Sequence, residues 1–222
     1  LILKLQPLHF PLEFPEVSSG PNPGFNCIVG NPPWEEATVE ELGYWTRHHP
    51  GLKSAPEAEQ NRIIDGLREQ RPELVEELER ALADAEVVRT ALMAPRSAER
   101  RAEPVFPGMG TGDPDLYKAF CWRFWTQLAN QGVVGIVLPR NALAARGSAE
   151  WRTHVLATGD FIEVTQLLNN RQWIFGDVHP QYTICLISLQ KTGNPDDVVV
   201  THGPFSSLAD YRAGIDKPGT EL

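Results

Sequence analysis

A continuous apolar run, VVGIVLP at residues 133–139, limits the possible folds of this chain more than any other feature. A run of strand length without polar alternation is expected for a strand that is buried on both faces of a parallel sheet. The segment before it places Leu116, Phe120, Phe124 and Leu128 on one face of a predicted helix, which Gly132 is expected to end. Because such a sheet needs helices on its faces, the pattern predicts an α/β fold.

The segments that follow extend this pattern. SAEWRTHVLA at 148–157 predicts a second helix with Ser148 as its N-cap. Three strand candidates come next: FIEVTQLL, YTICLISLQ and DVVVTH at 161–168, 182–190 and 197–202. The middle one alternates between apolar and polar residues, as a strand of an antiparallel pair does. We therefore expect the second half of a Rossmann-like doubly wound sheet that ends in an antiparallel hairpin.

Residues 35–112 differ in character and predict a helical insertion. Ile63, Ile64 and Leu67 mark one amphipathic helix, and Pro72 is well placed to open a second. The second helix carries leucines at four-residue spacing: Leu74, Leu78 and Leu82. Glu and Arg alternate along both helices, which favours a solvated helical hairpin; an arm that binds a partner subunit is the alternative.

Composition excludes several classes of protein. No run approaches the roughly 20 apolar residues that span a bilayer. Cys27, Cys121 and Cys185 have no C-x-x-C spacing and each lies in an apolar run, so we expect reduced core thiols in a cytoplasmic protein and no metal site. The net charge of −9 argues against a simple DNA-binding module, because nucleic-acid binders usually carry a basic face.

The stretch FNCIVGNPPWE at 25–35 contains the candidate catalytic residues. Ligands of open α/β sheets bind where loops leave the carboxyl ends of strands, and this loop follows an apolar strand and Gly30. Two prolines fix two φ angles and remove two backbone donors, so the Asn31 carboxamide and nearby carbonyls form a rigid set of acceptors for an NH₂ group. Trp34 adds a flat face on which a heterocycle can stack. The alternative is a Pro-Pro turn in which Asn31 caps a helix and Trp34 lies in the core.

Three motifs in this order resemble one enzyme family. GNPPW at 30–34 resembles the catalytic loop of amino-methyltransferases that use S-adenosylmethionine. DLYKAFCWRFWTQLANQGVVGIVLPRNAL at 115–143 is similar to the following helix and strand of the gamma-type N6-adenine DNA methyltransferases. WIFGDVHPQYTICLISLQK at 173–191 is similar to the loop and strand that present a second residue to the flipped base. The lead-in resembles that of large methylase subunits in restriction–modification and phage-defence systems.

The resemblance implies transfer of a methyl group from S-adenosylmethionine to N6 of an adenine that is flipped out of double-stranded DNA. Asn31 and the Pro32 carbonyl would accept hydrogen bonds from the amine and lie beside the cofactor, within the catalytic loop that Pro33 and Trp34 complete. Trp34 would stack on one face of the base, and His179 would pack on the other face or edge. A surface turn before Pro180 is the alternative for His179.

Four further residues each have two possible roles, one functional and one structural. Asp115 and Tyr117 correspond to residues that shape the base and cofactor pocket in the family; helix capping and core packing are their alternatives. Arg140 and Asn141, just past a strand, would contact DNA phosphate or cap the next helix.

One departure from the family concerns the cofactor. A Gly-rich turn after the first strand, followed by an acidic residue on the ribose, is expected and is not found. We therefore expect residues 1–222 to be part of a methyltransferase catalytic domain, inactive in isolation, with the cofactor signature and any target-recognition domain elsewhere. Cytosine N4, RNA or a protein glutamine are alternative acceptors, and a non-catalytic module that binds a partner is the more distant alternative.

Overall fold

The computed structural model describes residues 8–95, 104–176, 178–192 and 198–222. The chain divides into two compact units, which we call the helical unit, Glu36–Val105, and the sheet unit, Ile2–Glu35 with Phe106–Leu222. The boundaries are close to those of the predicted insertion at 35–112, although its assignment as an insertion in a methyltransferase domain stays a prediction. Residues 96–103 of that segment lie outside the described residues, as do Asp177 and Asp197 of two other predicted segments.

The sheet unit is built on a mixed six-stranded sheet with the order β1-β2-β4-β3-β5-β6. Its strands are β1 Phe25–Gly30, β2 Leu128–Pro139, β3 Asp160–Leu168, β4 Thr183–Gln190, β5 Val200–Phe205 and β6 Thr220–Glu221. The helices of the chain are α1 Phe10–Glu13, α2 Pro15–Ser18, α3 Glu41–His48, α4 Glu57–Gln70, α5 Pro72–Leu92, α6 Leu116–Gln127, α7 Asn141–Ala144, α8 Ala149–Thr158 and α9 Leu208–Gly214. An α/β fold with an antiparallel strand pair was predicted, and both features are confirmed.

Strand directions determine where a site can form. β1 runs parallel to β2, whereas β4 is antiparallel to both of its neighbours, β2 and β3. The carboxyl ends of β1, β2 and β3 and the start of β4 therefore meet at one edge of the sheet. Loops that leave this edge are the usual ligand-binding segments of α/β proteins.

β2 is longer than predicted. Gly132 does not end the preceding helix, which ends at Gln127; the chain continues directly into β2 at Leu128. The early start is stabilised by pairing of Leu128 with Phe25 of β1, and the register shift between Phe25 and Cys27 absorbs the irregularity. Gln131 adopts a φ of 63°, a left-handed conformation that a regular helix does not contain.

The predicted apolar face of the α6 segment is only partly buried: Leu128 is buried and Phe124 packs against the main core. Phe120 is 37% exposed, whereas Tyr117, Cys121 and Trp125, spaced four residues apart, are each at most 2% exposed. They pack with β2 and with Trp151 of α8 in the main core of the sheet unit. Both faces of this segment carry aromatic residues, so the sequence pattern alone did not identify the face with Tyr117 and Trp125 as the inward one.

The helical unit has a core of its own. Tyr44, Trp45 and Leu52 are almost fully buried and pack with Leu74 and Leu78 of α5. The Tyr44 hydroxyl donates a hydrogen bond to the Leu74 carbonyl at 2.8 Å. Ile63, Ile64 and Leu67 of α4 pack against this cluster, as the amphipathic pattern predicted, whereas Leu82 of α5 is 41% exposed.

The cysteine prediction is correct for two of three residues. Cys121 and Cys185 are buried free thiols, but Cys27 is an exposed one. The reason is the position of β1, which is the edge strand of the described sheet and leaves Val29 83% exposed.

In the part of the chain that the structure describes, no helix is long and apolar enough to cross a membrane.

Candidate active site

A cavity of about 760 Å³ opens at the sheet edge where β1, β2 and β3 end. Its lining comes from two segments, the loop after β1 and the loop between β3 and β4. The lining residues are Asn31, Pro32, Pro33, Trp34, Glu35, Phe175, Val178, His179 and Tyr182. The volume lies within the range of roughly 300–1,000 Å³ that small-ligand sites occupy. The structure thus brings the whole predicted Asn-Pro-Pro-Trp loop and His179 to one cavity.

Asn31 offers a free carboxamide to this cavity. It is exposed and makes no hydrogen bond with any residue that the structure describes, while the next residue, Pro32, is buried. The next helix begins at Glu41, too far along the chain for Asn31 to cap it. Gly30, directly before the loop, lies close to α6, because an added Cβ would be 3.0 Å from the Phe124 ring. Asn31 therefore presents an exposed amide directly after β1, next to the buried Pro32.

Trp34 is both a fold residue and a cavity residue. Its indole N–H donates to the Val137 carbonyl of β2 at 3.3 Å. Its ring meets the Phe175 ring edge-on at a centroid distance of 6.0 Å and packs against two clusters of the core. The remaining surface lines the cavity. One side of Trp34 therefore belongs to the core, and stacking of a heterocycle on the side that lines the cavity stays a prediction.

His179 likewise combines a turn with the cavity wall. Its Nδ1 accepts a hydrogen bond from the Gln181 backbone N–H at 3.2 Å, and its carbonyl accepts one from Tyr182 at 3.0 Å. These bonds are typical of a surface turn, and they also fix the imidazole beside the cavity. The Tyr182 ring, which is 52% exposed, lies 6.4 Å from it between ring centroids. Two exposed rings thus face the Asn31–Trp34 loop.

Asp115 and Tyr117 do not line the cavity. Asp115 precedes α6 and forms an ion pair with Lys118 at 3.2 Å, without a side-chain cap bond to the helix. Burial raises the pKa of Asp115, against the opposing effect of Lys118. Tyr117 is 1% exposed in the main core, and burial raises its pKa to about 12, while its hydroxyl lies 3.5 Å from Ser148 Oγ. Both residues contribute to the packing of α6.

Arg140 and Asn141 lie at the same sheet edge as the cavity but outside its lining. Arg140 immediately precedes α7, and its backbone N–H donates to the Thr183 carbonyl at 3.1 Å. Both side chains are exposed. Their position after β2 leaves contact with a phosphate open as a prediction.

Sequence reasoning missed Phe175, Val178, Tyr182 and, behind them, Asn169. The motif at 173–191 predicted a role for His179 alone, although it also contains Tyr182, an aromatic residue directly before a strand. Asn169 is fully buried at the end of β3. A polar residue after the apolar end of a predicted strand was the only available signal.

The hydrogen-bond acceptors of the cavity fit one end of S-adenosylmethionine. Amide and carbonyl oxygens of Asn31 and Pro32 suit the neighbourhood of an amine and a sulfonium. The three strands that end at the cavity edge, β1, β2 and β3, lead into Asn31, Arg140 and Asn169, and none of them is followed by a Gly-rich turn with an acidic partner for a ribose. Within the described residues, no cluster of three or more His, Cys, Asp or Glu side chains is arranged to hold a metal ion.

No protein-family model and no curated protein matches the chain. Three solved structures overlap this chain in part. A protein assigned as a class I S-adenosylmethionine-dependent methyltransferase from Listeria monocytogenes overlaps 46% of this chain and 31% of its own, at 14% identity and a TM-score of 0.35. A modification subunit assigned to a type I restriction enzyme of Vibrio vulnificus YJ016 overlaps 85% and 30%, at 15% identity and a TM-score of 0.35.

The third is a nuclease-deletion mutant of the Type ISP restriction–modification enzyme LlaGI, in complex with a DNA substrate mimic. It overlaps 90% of this chain and 17% of its own, at 12% identity and a TM-score of 0.45. The chain therefore spans less than a third of the length of each of these structures. At these scores the overlaps describe shape alone, so a function for this chain depends on the residues of its cavity.

Proposed function

We propose that this chain carries the acceptor-binding part of a methyltransferase that modifies an exocyclic amino group of a nucleic-acid base, with adenine N6 in DNA as the acceptor. One observation supports this most strongly. The four residues Asn31, Pro32, Pro33 and Trp34 line a single cavity, and His179 lines it from another loop. The cavity combines amide acceptors with flat rings, which is the combination that a purine with an NH₂ group requires.

The acceptors act on the nitrogen of the amine. Asn31 Oδ1 and the Pro32 carbonyl each accept one N–H, so the nitrogen lone pair is directed away from the ring and out of conjugation with it. Interactions that strengthen as charge develops on the nitrogen lower the barrier to transfer. S-adenosylmethionine, when bound, supplies an electrophilic methyl group. The nitrogen releases its extra proton to solvent late, so no general base with a shifted pKa is needed in the cavity.

The rings act on the faces of the base. Trp34 offers the surface that is not packed against β2, and His179 offers an exposed imidazole from the opposite loop. Stacking of a base on an aromatic side chain contributes about 1–3 kcal/mol by alanine substitution. This contribution offsets the cost, a few kcal/mol, of unstacking the target from a duplex.

Asn31→Ala tests the proposal in the intact protein. We expect methyl transfer to unmethylated plasmid DNA to be abolished while DNA binding stays nearly unchanged, because the lost bond strengthens only in the transition state. Asn61→Ala is the matched control, since Asn61 is an exposed asparagine of α4 outside the cavity lining. Activity of Asn31→Ala above about a tenth of wild type, a barrier change below about 1.4 kcal/mol, would remove Asn31 from this role.

The methylated product identifies the acceptor. Digestion of modified DNA to nucleosides, followed by mass spectrometry, separates N6-methyladenine from N4-methylcytosine. Transfer to RNA or to a protein glutamine, without transfer to DNA, would be compatible with amine binding by the Asn-Pro-Pro segment but would reject adenine in DNA as the acceptor. We expect N6-methyladenine alone.

A further inference from the structure

Asn169 is a fully buried polar residue directly after β3 whose side chain uses its whole hydrogen-bonding capacity. Its amide nitrogen donates to the carbonyls of Phe175 at 3.0 Å and Val178 at 2.9 Å. Its oxygen accepts from the backbone N–H groups of Ile174 and Phe175, both at 3.2 Å. An asparagine carboxamide has two donors and two acceptor lone pairs, so none is left for another partner.

All four bonds go to the loop between β3 and β4, and the backbone of Asn169 adds two more. Its N–H donates to the Tyr182 carbonyl at 3.1 Å, and its carbonyl accepts from Gln172 at 2.8 Å. One residue therefore connects the beginning, the middle and the end of the loop. The loop supplies four lining residues of the cavity: Phe175, Val178, His179 and Tyr182.

The loop needs such a clamp because its backbone is locally unfavourable. Arg171 and Gln172 have φ angles of 55° and 57°, in the left-handed region where side chains with a Cβ are uncommon. Conformations of this kind persist where surrounding contacts over-determine them, and they are concentrated at ligand sites. The Gln172 side chain, which donates to the carbonyls of Gly176 and Val178, and the Trp173 indole, which donates to Leu168 at 2.7 Å, support the same loop.

We propose that Asn169 is a positioning residue for substrate binding: its carboxamide holds the loop that forms the wall of the cavity opposite Asn31–Trp34, and so sets the affinity for the base. The inference rests on the proposed function, since it concerns the same cavity. Asn169 is separated from the cavity by the backbone that it clamps and is not one of its lining residues. Its effect must therefore pass through the positions of Phe175, Val178 and His179.

The test uses two variants of the intact protein. Asn169→Leu keeps the side-chain shape and removes all four bonds. Gln172→Ala removes weaker support from an exposed position and provides a variant that folds if Asn169→Leu does not. Asn22→Leu is the matched control. The Asn22 carboxamide also donates to and accepts from a backbone, that of Asn130 at 3.1 and 2.9 Å, but beside the amino-terminal ends of β1 and β2.

Two readouts separate the possible roles. With unmethylated plasmid DNA and tritium-labelled S-adenosylmethionine, we expect Asn169→Leu to raise the KM for DNA at least about tenfold with kcat within about threefold of wild type, and Gln172→Ala to do so more weakly. Amide hydrogen exchange, measured without DNA or cofactor, should rise in residues 170–182 and not elsewhere. Asn22→Leu should change neither KM nor exchange in that loop.

Each contrary result has its own meaning. A fall in activity with KM unchanged, in proportion to the folded fraction, would make Asn169 a purely structural residue and overturn the inference. Unchanged exchange in residues 170–182 would also overturn it, whatever the activity. A wild-type protein that orders the loop but transfers no methyl group would overturn the proposed function and, with it, the positioning of a base. Raised exchange in Asn169→Leu would then show only that the clamp exists.

Discussion

The Trp34 side chain connects the Asn31–Trp34 loop to the core. Its N–H bonds to the Val137 carbonyl, while part of its ring lines the cavity. Phenylalanine retains a flat ring and loses the N–H donor. Trp34→Phe therefore separates the contribution of the ring to base binding from the contribution of the hydrogen bond to stability.

We expect Trp34→Phe to lower stability slightly and to retain most base binding. The lost hydrogen bond contributes about 1 kcal/mol, which lowers the Tm by about 2–4 °C in a chain of this size. Trp34→Ala should additionally lose about 1–3 kcal/mol of productive binding. His179→Phe should be tolerated and His179→Ala should not. Thermal melts and 2-aminopurine fluorescence at the target position measure the two effects.

Trp122→Phe is the control for this series. Its indole also donates to a backbone carbonyl, that of Pro107 at 2.8 Å, but it does not line the cavity. It should lower the Tm and leave the flipping signal intact. If Trp34→Ala melts several degrees lower and still gives the full 2-aminopurine signal, Trp34 belongs to the core and has no stacking role.

The three cysteines should differ sharply in reactivity. Cys121 and Cys185 are buried, which raises the pKa of both thiols, that of Cys185 to about 11. The thiolate is the reactive form, so neither should react in the folded chain at pH 8. We expect rapid alkylation of Cys27 alone, seen as a single adduct by mass spectrometry, and Cys27→Ser should abolish it. Alkylation of Cys121 before unfolding would contradict the burial of the inward face of α6.

At the scale of elements, the loop between β3 and β4 provides a test of backbone strain. Arg171 has a left-handed φ of 55°, which glycine adopts without a steric cost. We expect Arg171→Gly to stabilise the fold by up to about 1 kcal/mol, seen as a small rise in Tm. Arg123→Gly, an exposed position inside α6, should instead lose about 1 kcal/mol. A marked fall in Tm for Arg171→Gly would mean that the arginine side chain makes a stabilising contact.

The elements themselves were largely predictable, and their faces were not. The apolar runs correctly located β2, β3 and β4, because strand-length runs of large apolar residues have few other places in a folded chain. The inward face of α6 was missed, since every face of that segment carries aromatic residues and the choice depends on what β2 and α8 offer. Asn169 was missed for a related reason: its partners are backbone groups of residues 174–178, which no side-chain pattern reveals.

At the scale of the whole molecule, the net charge disfavours binding of DNA, whereas the cavity favours binding of a base. The chain has a net charge of −9, whereas binding of duplex DNA depends on cations that neutralise phosphates. The cavity nevertheless has the acceptors and rings that suit a base. The two observations agree if this chain grips the reacting base and another segment or subunit supplies most of the affinity for the phosphate backbone.

We expect cofactor binding, too, to be divided between this chain and another segment or subunit. In the proposed function, Asn31 and Pro32 lie at the reactive end of S-adenosylmethionine, and β1, β2 and β3 are not followed by a Gly-rich turn with an acidic residue for its ribose. We therefore expect the 222-residue chain to bind S-adenosylmethionine much more weakly than a micromolar Kd, the equivalent of about −8 kcal/mol. Isothermal titration calorimetry on the folded chain measures this directly, with circular dichroism to verify folding. Asn31→Ala should leave the small heat of titration unchanged, because that side chain acts mainly on the amine. A micromolar Kd for the wild-type chain would show that its own residues hold the ribose and adenine of the cofactor, and that the chain contains more than the acceptor-binding half of the site.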